Sequence, residues 1–397
     1  MSDHRTVTPA NWGVAPHNRW SFQHVQELFP TCRLARDTSA ALVLPTVPQE
    51  VMQVCFTATD GASTSVSEFL GKACCDAFLV VHDGCVIAEH YFNGMTGSSH
   101  HLLNSVTKSF VGMLAGIAVE CDKLEPSSLV ARYLPELDNA AWQGTTVRHL
   151  LDMTAGVRYA EVYADPETDF WKEAAVVGWR PALVGDKSPR TLLDYARSLE
   201  AQDMANGSRF EYRTVCTNVL GMILERAMGA RLATLLEADV WSGLATQHDA
   251  SIVVDRTGFP YVGVGMNACA RDLAHFGLMM INDGALNGRQ IVPAAWIADT
   301  ARGDATSKEC FAKGVYGDEA PGWHFRNQVW VASSDPAVML TIGIHGQYVY
   351  MDKGRDLVIV MLSSQPEPFD AGLDLDALAA LRAIGSWLVA TSGECRR

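Results

Sequence analysis

From Ser109 to Val119 the chain runs without a single charge, and directly ahead of that run stand Ser105-Val106-Thr107-Lys108. The apolar positions Val106, Phe110, Val111, Met113, Leu114, Ile117 and Ala118 cover most of a helix circumference, which predicts a buried helix rather than a surface one. A lysine at the head of such a helix is constrained, because a buried ammonium must be partnered or give up its proton. Residues three apart share a helix face, so Ser105 Oγ and Lys108 Nζ can come within hydrogen-bond reach. The backbone N–H of a first-turn serine is also one of the helix's unpaired donors, aimed where an oxyanion could sit. An ordinary lysine, near pKa 10.4, is almost wholly protonated at neutral pH. Burial lowers that value, as a general base requires. A lone S-x-x-K arises by chance about once in a few hundred residues. Here Ser105 is the only serine with lysine three residues on.

The formal net charge of −14 offers no basic stripe for phosphates, which argues against nucleic acid and anionic membrane surfaces and favours small-molecule chemistry. With 397 residues, 48% of them apolar, the chain can bury one large core or two moderate ones. The first residues lack a basic stretch followed by an apolar one, and no apolar run reaches the ~18 residues of a membrane span. The ten cysteines show no C-x-x-C, and they read as reduced, mostly buried thiols. A cytoplasmic location is therefore expected.

Residues 1–70 read as an irregular arm with one short helix near "WSFQHVQELFP". Residues 77–92, "AFLVVHDGCVIAEHYF", predict a hairpin turning at Asp83-Gly84, and the Ser105 helix follows. Between 122 and 245 the pattern is helical: "TTVRHLLDMTAG" with a Gly stop, "TLLDYARSLE", "TNVLGMILERAMG" and "ATLLEADVW". After the helix "ARDLAHFGLMMINDG", strands are expected in "GWHFRNQVWVA", "AVMLTIGIHGQYVYMD" and "RDLVIVMLSS", and "LDLDALAALRAIGSWLVAT" closes the chain as a helix. This predicts an α/β (α+β) architecture, an antiparallel sheet flanked by helices and joined to an all-helical lobe. Residues 1–70 form the arm, 71–121 with 246–397 the α/β domain, and 122–245 the lobe.

Over most of its length the sequence resembles the penicillin-recognising serine hydrolases, and most of all the 6-aminohexanoate-dimer hydrolases and related carboxylesterases. The resemblance is carried by "APHNRW", "HLLNSVTKS", "RYLPELD", "LLDMTAGVRYAEVYADPE", "FEYRTVCTNVLGMILERAMG", "ACARDLAHFGLMM", "IGIHGQ" and "VIVMLSS". It implies the β-lactamase/DD-peptidase-like fold and a second catalytic element at Tyr212, whose phenol would share a proton network with Ser105 and Lys108. Many relatives have Tyr-x-Asn where this chain has Tyr212-Arg213-Thr214, and the strand that carries Lys-Thr-Gly in β-lactamases reads Gly343-Ile344-His345-Gly346-Gln347. Both departures count against β-lactam hydrolysis. The same strand would provide the second oxyanion donor, the N–H of Ile344, opposite that of Ser105. Tyr163 and Trp179 match aromatic substrate-binding positions, and His345 is the one histidine kept as a substrate-binding candidate, with a solvated or core role for it as the alternative. Where the nylon-oligomer hydrolases carry an acidic residue ahead of Gly-Trp, this chain has Ala174, with Glu173 adjacent.

No H-E-x-x-H or Cys/His ligand spacing occurs, so no metal is expected, and no cofactor is required. "GVGMNA" at 263–268 lacks the third glycine of a nucleotide fingerprint and reads as a loop near the pocket rim. The expected activity is hydrolysis of small carboxylic esters, then of linear amides, through an acyl-enzyme on Ser105. A β-lactamase or DD-peptidase, or a non-catalytic ligand-binding relative, are the alternatives. The expected partner is the substrate alone, with neither nucleic acid nor membrane; a homodimer is compatible with this.

Overall fold

The computed structural model describes residues 6–39, 41–185 and 188–394. Its main sheet begins at the predicted hairpin. Asp83 and Gly84 both take positive φ, +48° and +71°, the geometry that a two-residue turn needs to match strand twist. They join Cys75–His82 to Cys85–Tyr91. The sheet has seven strands, in the order His324–Arg326, Val329–Ser334, Ala337–Gly343, Gln347–Asp352, Leu357–Ser363, Cys75–His82, Cys85–Tyr91. Every neighbouring pair is antiparallel, so chain-distant segments close one sheet.

Two segments read from the sequence as single strands are each broken in two. "GWHFRNQVWVA" reverses at Asn327-Gln328, where φ is +52° and +67°. "AVMLTIGIHGQYVYMD" reverses at Ile344-His345-Gly346, with φ of +63° at His345 and +83° at Gly346. Neither break carries an Asn-Gly or Asp-Gly signal, so apolar patterning alone ran through both.

The strand Leu357–Ser363 is buried at every position, and its pleat shows why. Val358 faces the helix Ala270–Ile281, where Gly277 lets helix and sheet approach: a Cβ there would lie 2.4 Å from Val358 Cγ1. Leu357, on the opposite face, lies against Gly385 of the closing helix Ala371–Glu394. Both faces are covered, and each fully buried aliphatic side chain contributes about 1.5–3 kcal/mol relative to exposure.

A second, four-stranded sheet pairs Thr31–Leu34, Ala250–Val253, Met266–Ala268 and His101–Leu102 in that order. The N-terminal segment is thus more ordered than expected. It holds the helices Asn18–Ser21, Val25–Leu28 and Val66–Lys72, the last closed by a Ser65/Glu68 capping box, besides the strand Thr31–Leu34. Four residues including Cys32 and Arg33 give too little alternation to read as a strand; pairing with Ala250–Val253 makes it one. The small sheet also sets His101–Leu102, just ahead of Ser105, beside Met266–Ala268.

Between 122 and 245 the chain forms the helices Val130–Tyr133, Val147–Leu151, Asp169–Val176, Leu192–Ser198, Thr214–Met228 and Leu232–Leu235, the last continued by the π-helical Leu236–Trp241, among shorter turns. The helix predicted to stop at Gly156 ends earlier, at Leu151. The helix Thr214–Met228 closes on Gly229 at φ +70° and packs against Thr107–Glu120. Among the described residues no helix is long and apolar enough to cross a membrane.

Candidate active site

The buried helix anticipated from the sequence begins as a tight turn, Asn104–Val106, and continues as Thr107–Glu120. Asn104 enters it at φ +47°, and its side-chain amide donates to the carbonyl of Ile344 at 2.9 Å. The Thr107 hydroxyl donates to Asn104 O and accepts from the N–H of Met266. The Ser105 turn is thereby tied to two separate sheets. On the sheet side the approach is as close as backbones allow. A Cβ on Gly343 would stand 3.0 Å from Ser105 N and 2.6 Å from Leu103 O, so only glycine fits at the end of that strand.

Lys108 is 1% exposed. Its Nζ donates to Ser105 Oγ at 2.9 Å, to Thr214 Oγ1 at 2.9 Å and to Gly263 O at 2.7 Å. These partners account for the three hydrogens of an ammonium. Two of the three are fixed acceptors. Gly263 offers a carbonyl, and Thr214 commits its own hydroxyl hydrogen to Glu161 Oε1 at 2.8 Å. Only toward Ser105 can the proton run either way. When Lys108 is neutral, its two remaining hydrogens stay on Thr214 and Gly263, and its lone pair faces the serine hydroxyl.

Burial pushes the Lys108 ammonium down to about 8, partly opposed by the negative charges of Glu161 and Glu173. Neither carboxylate touches the lysine. Glu161 accepts from Thr214 N (2.6 Å), Thr214 Oγ1 and the Tyr163 phenol (2.8 Å). Glu173 is fully buried and accepts from Tyr159 OH and Asn218 Nδ2, and Asn218 in turn accepts the N–H of Gly263. Desolvation raises the Glu173 carboxyl to about 7.

Tyr212 precedes the helix Thr214–Met228, stacks on Trp330 at 5.6 Å, and has its ring centroid 4.8 Å from Lys108 Nζ. Burial, then Glu161, holds its phenol well above its ordinary pKa, while the neighbouring Ser105 hydroxyl pulls the other way. The group is therefore a phenol at neutral pH, able to give a proton. Ser105, Tyr163, Tyr212, Gly343 and Ile344 border one cavity of about 370 Å³.

Trp179 and His345 lie on the far side of Ile344. They line a narrow recess with Trp12, Phe22 and Asn104, and neither borders the cavity holding Ser105. His345 is 4% exposed, bonds Gln365 O through Nδ1 at 2.7 Å, and is pushed by burial to about 4. Trp179 packs between Trp12 and Tyr261 at 4.6 and 5.4 Å, and its indole N–H is buried without a protein partner.

Several residues of the site were not singled out from the sequence. Thr214 marked only a missing asparagine, yet it occupies a lysine-binding position. Gly263, read as part of a rim loop, turns its carbonyl onto Lys108. Glu161, two residues before Tyr163, shows no sequence signal of its own. Elsewhere, His248, Cys269 and Asp272 bring possible metal-ligand atoms within 4.8 Å of one another, which spacing along the chain did not reveal. There the Asp272 carboxylate is occupied by the N–H groups of Gln247 and His248.

Comparison with known proteins bears on the family and the fold. A family model described as Beta-lactamase matches residues 66–383. A 6-aminohexanoate-dimer hydrolase of Paenarthrobacter ureafaciens is 32% identical over 381 residues, covering 94% of each chain. A solved structure from Bacillus anthracis, assigned as a 6-aminohexanoate-dimer hydrolase, superposes with a TM-score of 0.90 at 26% identity, covering 98% of this chain and 99% of the other. A family VIII carboxylesterase structure shares the fold at 17% identity and a TM-score of 0.57, over 78% of this chain and 91% of its own.

Proposed function

The chain belongs to the Beta-lactamase family, and from that premise we propose that it is a serine hydrolase that cleaves carboxylic esters and linear amides through an acyl-enzyme on Ser105. One observation carries the reading: the partners of Lys108 leave its lone pair a single direction, toward Ser105 Oγ. In acylation the Ser105 proton passes to neutral Lys108 as Oγ adds to the substrate carbonyl. The oxyanion is held by the backbone N–H groups of Ser105 and Ile344. Tyr212 gives its proton to the departing alcohol or amine and recovers one from Lys108. Water then attacks the acyl-enzyme with the same groups in reversed roles.

Linear amides of the 6-aminohexanoate type enter through the 32% identical relative, and esters through the lower demand they make on the Tyr212 proton transfer. No lysine or arginine among the described residues borders the cavity, so a β-lactam carboxylate has no cationic anchor. The nine described cysteines are free, which supports a reducing compartment such as the cytoplasm; Cys395 lies outside the described residues.

The test pairs a fluorophosphonate with two substrates, a short p-nitrophenyl ester and the linear 6-aminohexanoate dimer. Labelling confined to the peptide containing Ser105, with turnover of the ester, is expected; dimer cleavage extends the activity to amides. Intact protein that neither labels nor turns over either substrate would leave a ligand-binding relative instead.

The carboxylate behind Thr214 gives a separate expectation. Glu161 raises the Lys108 pKa, so Glu161→Gln should move the ascending limb of kcat/KM against pH toward acid. A merely structural Glu161 would lower the rate and leave the limb where it was.

A further inference from the structure

The cavity in front of Ser105 is walled mainly by carbon. Tyr163, Tyr212, Tyr316, Trp323 and Trp330 supply much of it, and the carboxylates that border it are Glu319 and Asp374. Asp374 stands in the first turn of the closing helix Ala371–Glu394 and accepts a hydrogen bond of 2.5 Å from Tyr348, which rises from the central sheet. Neither Asp374 nor Glu319 has an ion-pair partner among the described residues. Burial, with Asp370 adding like charge, holds the Asp374 carboxyl up at about 6. A half-buried anion placed on an aromatic wall without a cation of its own is an incomplete pair.

Aromatic faces and a carboxylate together are the chemistry that recognises an alkylammonium group. Neutral substrates would leave the Asp374 charge desolvated and unpaired, and anionic ones would be repelled. We propose that Asp374 is a specificity-determining residue that selects ester or amide substrates carrying a cationic ammonium group, which lies against Asp374 and the aromatic wall while the carbonyl reaches Ser105. Glu319, exposed at the mouth, adds a weaker attraction of the same sign. The proposal rests on the reading of Ser105 as the nucleophile, and it assigns to Asp374 the ammonium that an aminohexanoyl substrate carries.

The experiment compares matched esters differing only in a trimethylammonium group against a tert-butyl group of the same shape. One pair carries the group on the acyl chain of a p-nitrophenyl ester, and the other on the alcohol, as a choline ester against its carbon isostere. In at least one pair the cationic ester is expected to show a kcat/KM about tenfold or more higher. Asp374→Asn should bring that ratio to within about twofold of one, whatever it does to either rate alone. Ratios near one in both pairs for the wild type, or a preference that survives in Asp374→Asn, would overturn the proposal while leaving the hydrolase reading intact. If neither these esters nor the linear 6-aminohexanoate dimer is cleaved and the fluorophosphonate does not label, the hydrolase reading fails instead. The cation site is then read without turnover, by titrating the protein with butyltrimethylammonium chloride and following heat or tryptophan fluorescence. Saturable binding that Asp374→Asn abolishes supports the site, and its absence refutes it.

Discussion

Replacing Ser105 with alanine is expected to lower kcat/KM for every substrate by about 10⁶-fold, the size of loss found when the nucleophile of a serine protease is removed. The loss should fall on kcat, because Oγ acts on the carbonyl only as the bond forms. Little else in the fold depends on that hydroxyl. Ser105 Oγ accepts one hydrogen bond, from Lys108, and the turn it occupies is held by Asn104, Thr107 and the close pass of Gly343. The melting temperature should therefore stay within a few degrees of the wild type, since a single polar truncation of this kind costs about 1 kcal/mol. A rapid burst of p-nitrophenolate, stoichiometric with enzyme, is expected from wild type and absent from the variant. Turnover within tenfold of wild type, with a native melting curve, would remove Ser105 from the role assigned to it.

What the sequence made legible was governed by local physics. A charge-free helix behind a serine and a lysine can be read from periodicity, because burial of Thr107–Glu120 on nearly all sides demands apolar residues all round. The Asp83-Gly84 turn can be read because two successive positive φ values favour those residues. The parts that stayed hidden depend on chain-distant meetings. Gly263 reaches Lys108 through its carbonyl, which every residue possesses, so no side-chain pattern marks it. Glu161 works through Thr214, across a gap of 53 residues. Trp179 and His345 were expected at the substrate by motif position, but the turn at Ile344-His345-Gly346 carries His345 into the recess beyond Ile344. Asp374 drew no attention, because an acidic residue in the first turn of a helix is ordinary. Only the cavity gives it a meaning.

Lys108→Met separates the two things that a buried lysine does. Catalytically the variant should lose about as much as Ser105→Ala, since the Tyr212 phenol, the other group beside Ser105, is held protonated by burial and cannot take the serine proton. In the wild type, kcat/KM for a neutral ester should climb as pH rises through about 8, where Lys108 gives up its proton. The variant should show no such limb. For stability the expected direction is the opposite. Unfolded, the lysine keeps its proton up to its ordinary pKa near 10.4, whereas folded it releases it near 8. Between those values the unfolded chain binds more protons, so the wild type gains stability with rising pH. Below pH 8 the fold bears the cost of burying the ammonium, and the full displacement corresponds to roughly 3 kcal/mol. Methionine fills similar space without a charge. It forfeits the hydrogen bonds to Thr214 and Gly263, which are independent of pH in this range. The stability of Lys108→Met relative to wild type, measured by urea unfolding, should therefore be most favourable near neutrality and decline from pH 8 to 10.4. A difference that stays flat across that window would mean that Lys108 is not held at a lowered pKa, and the general-base role would lose its physical footing.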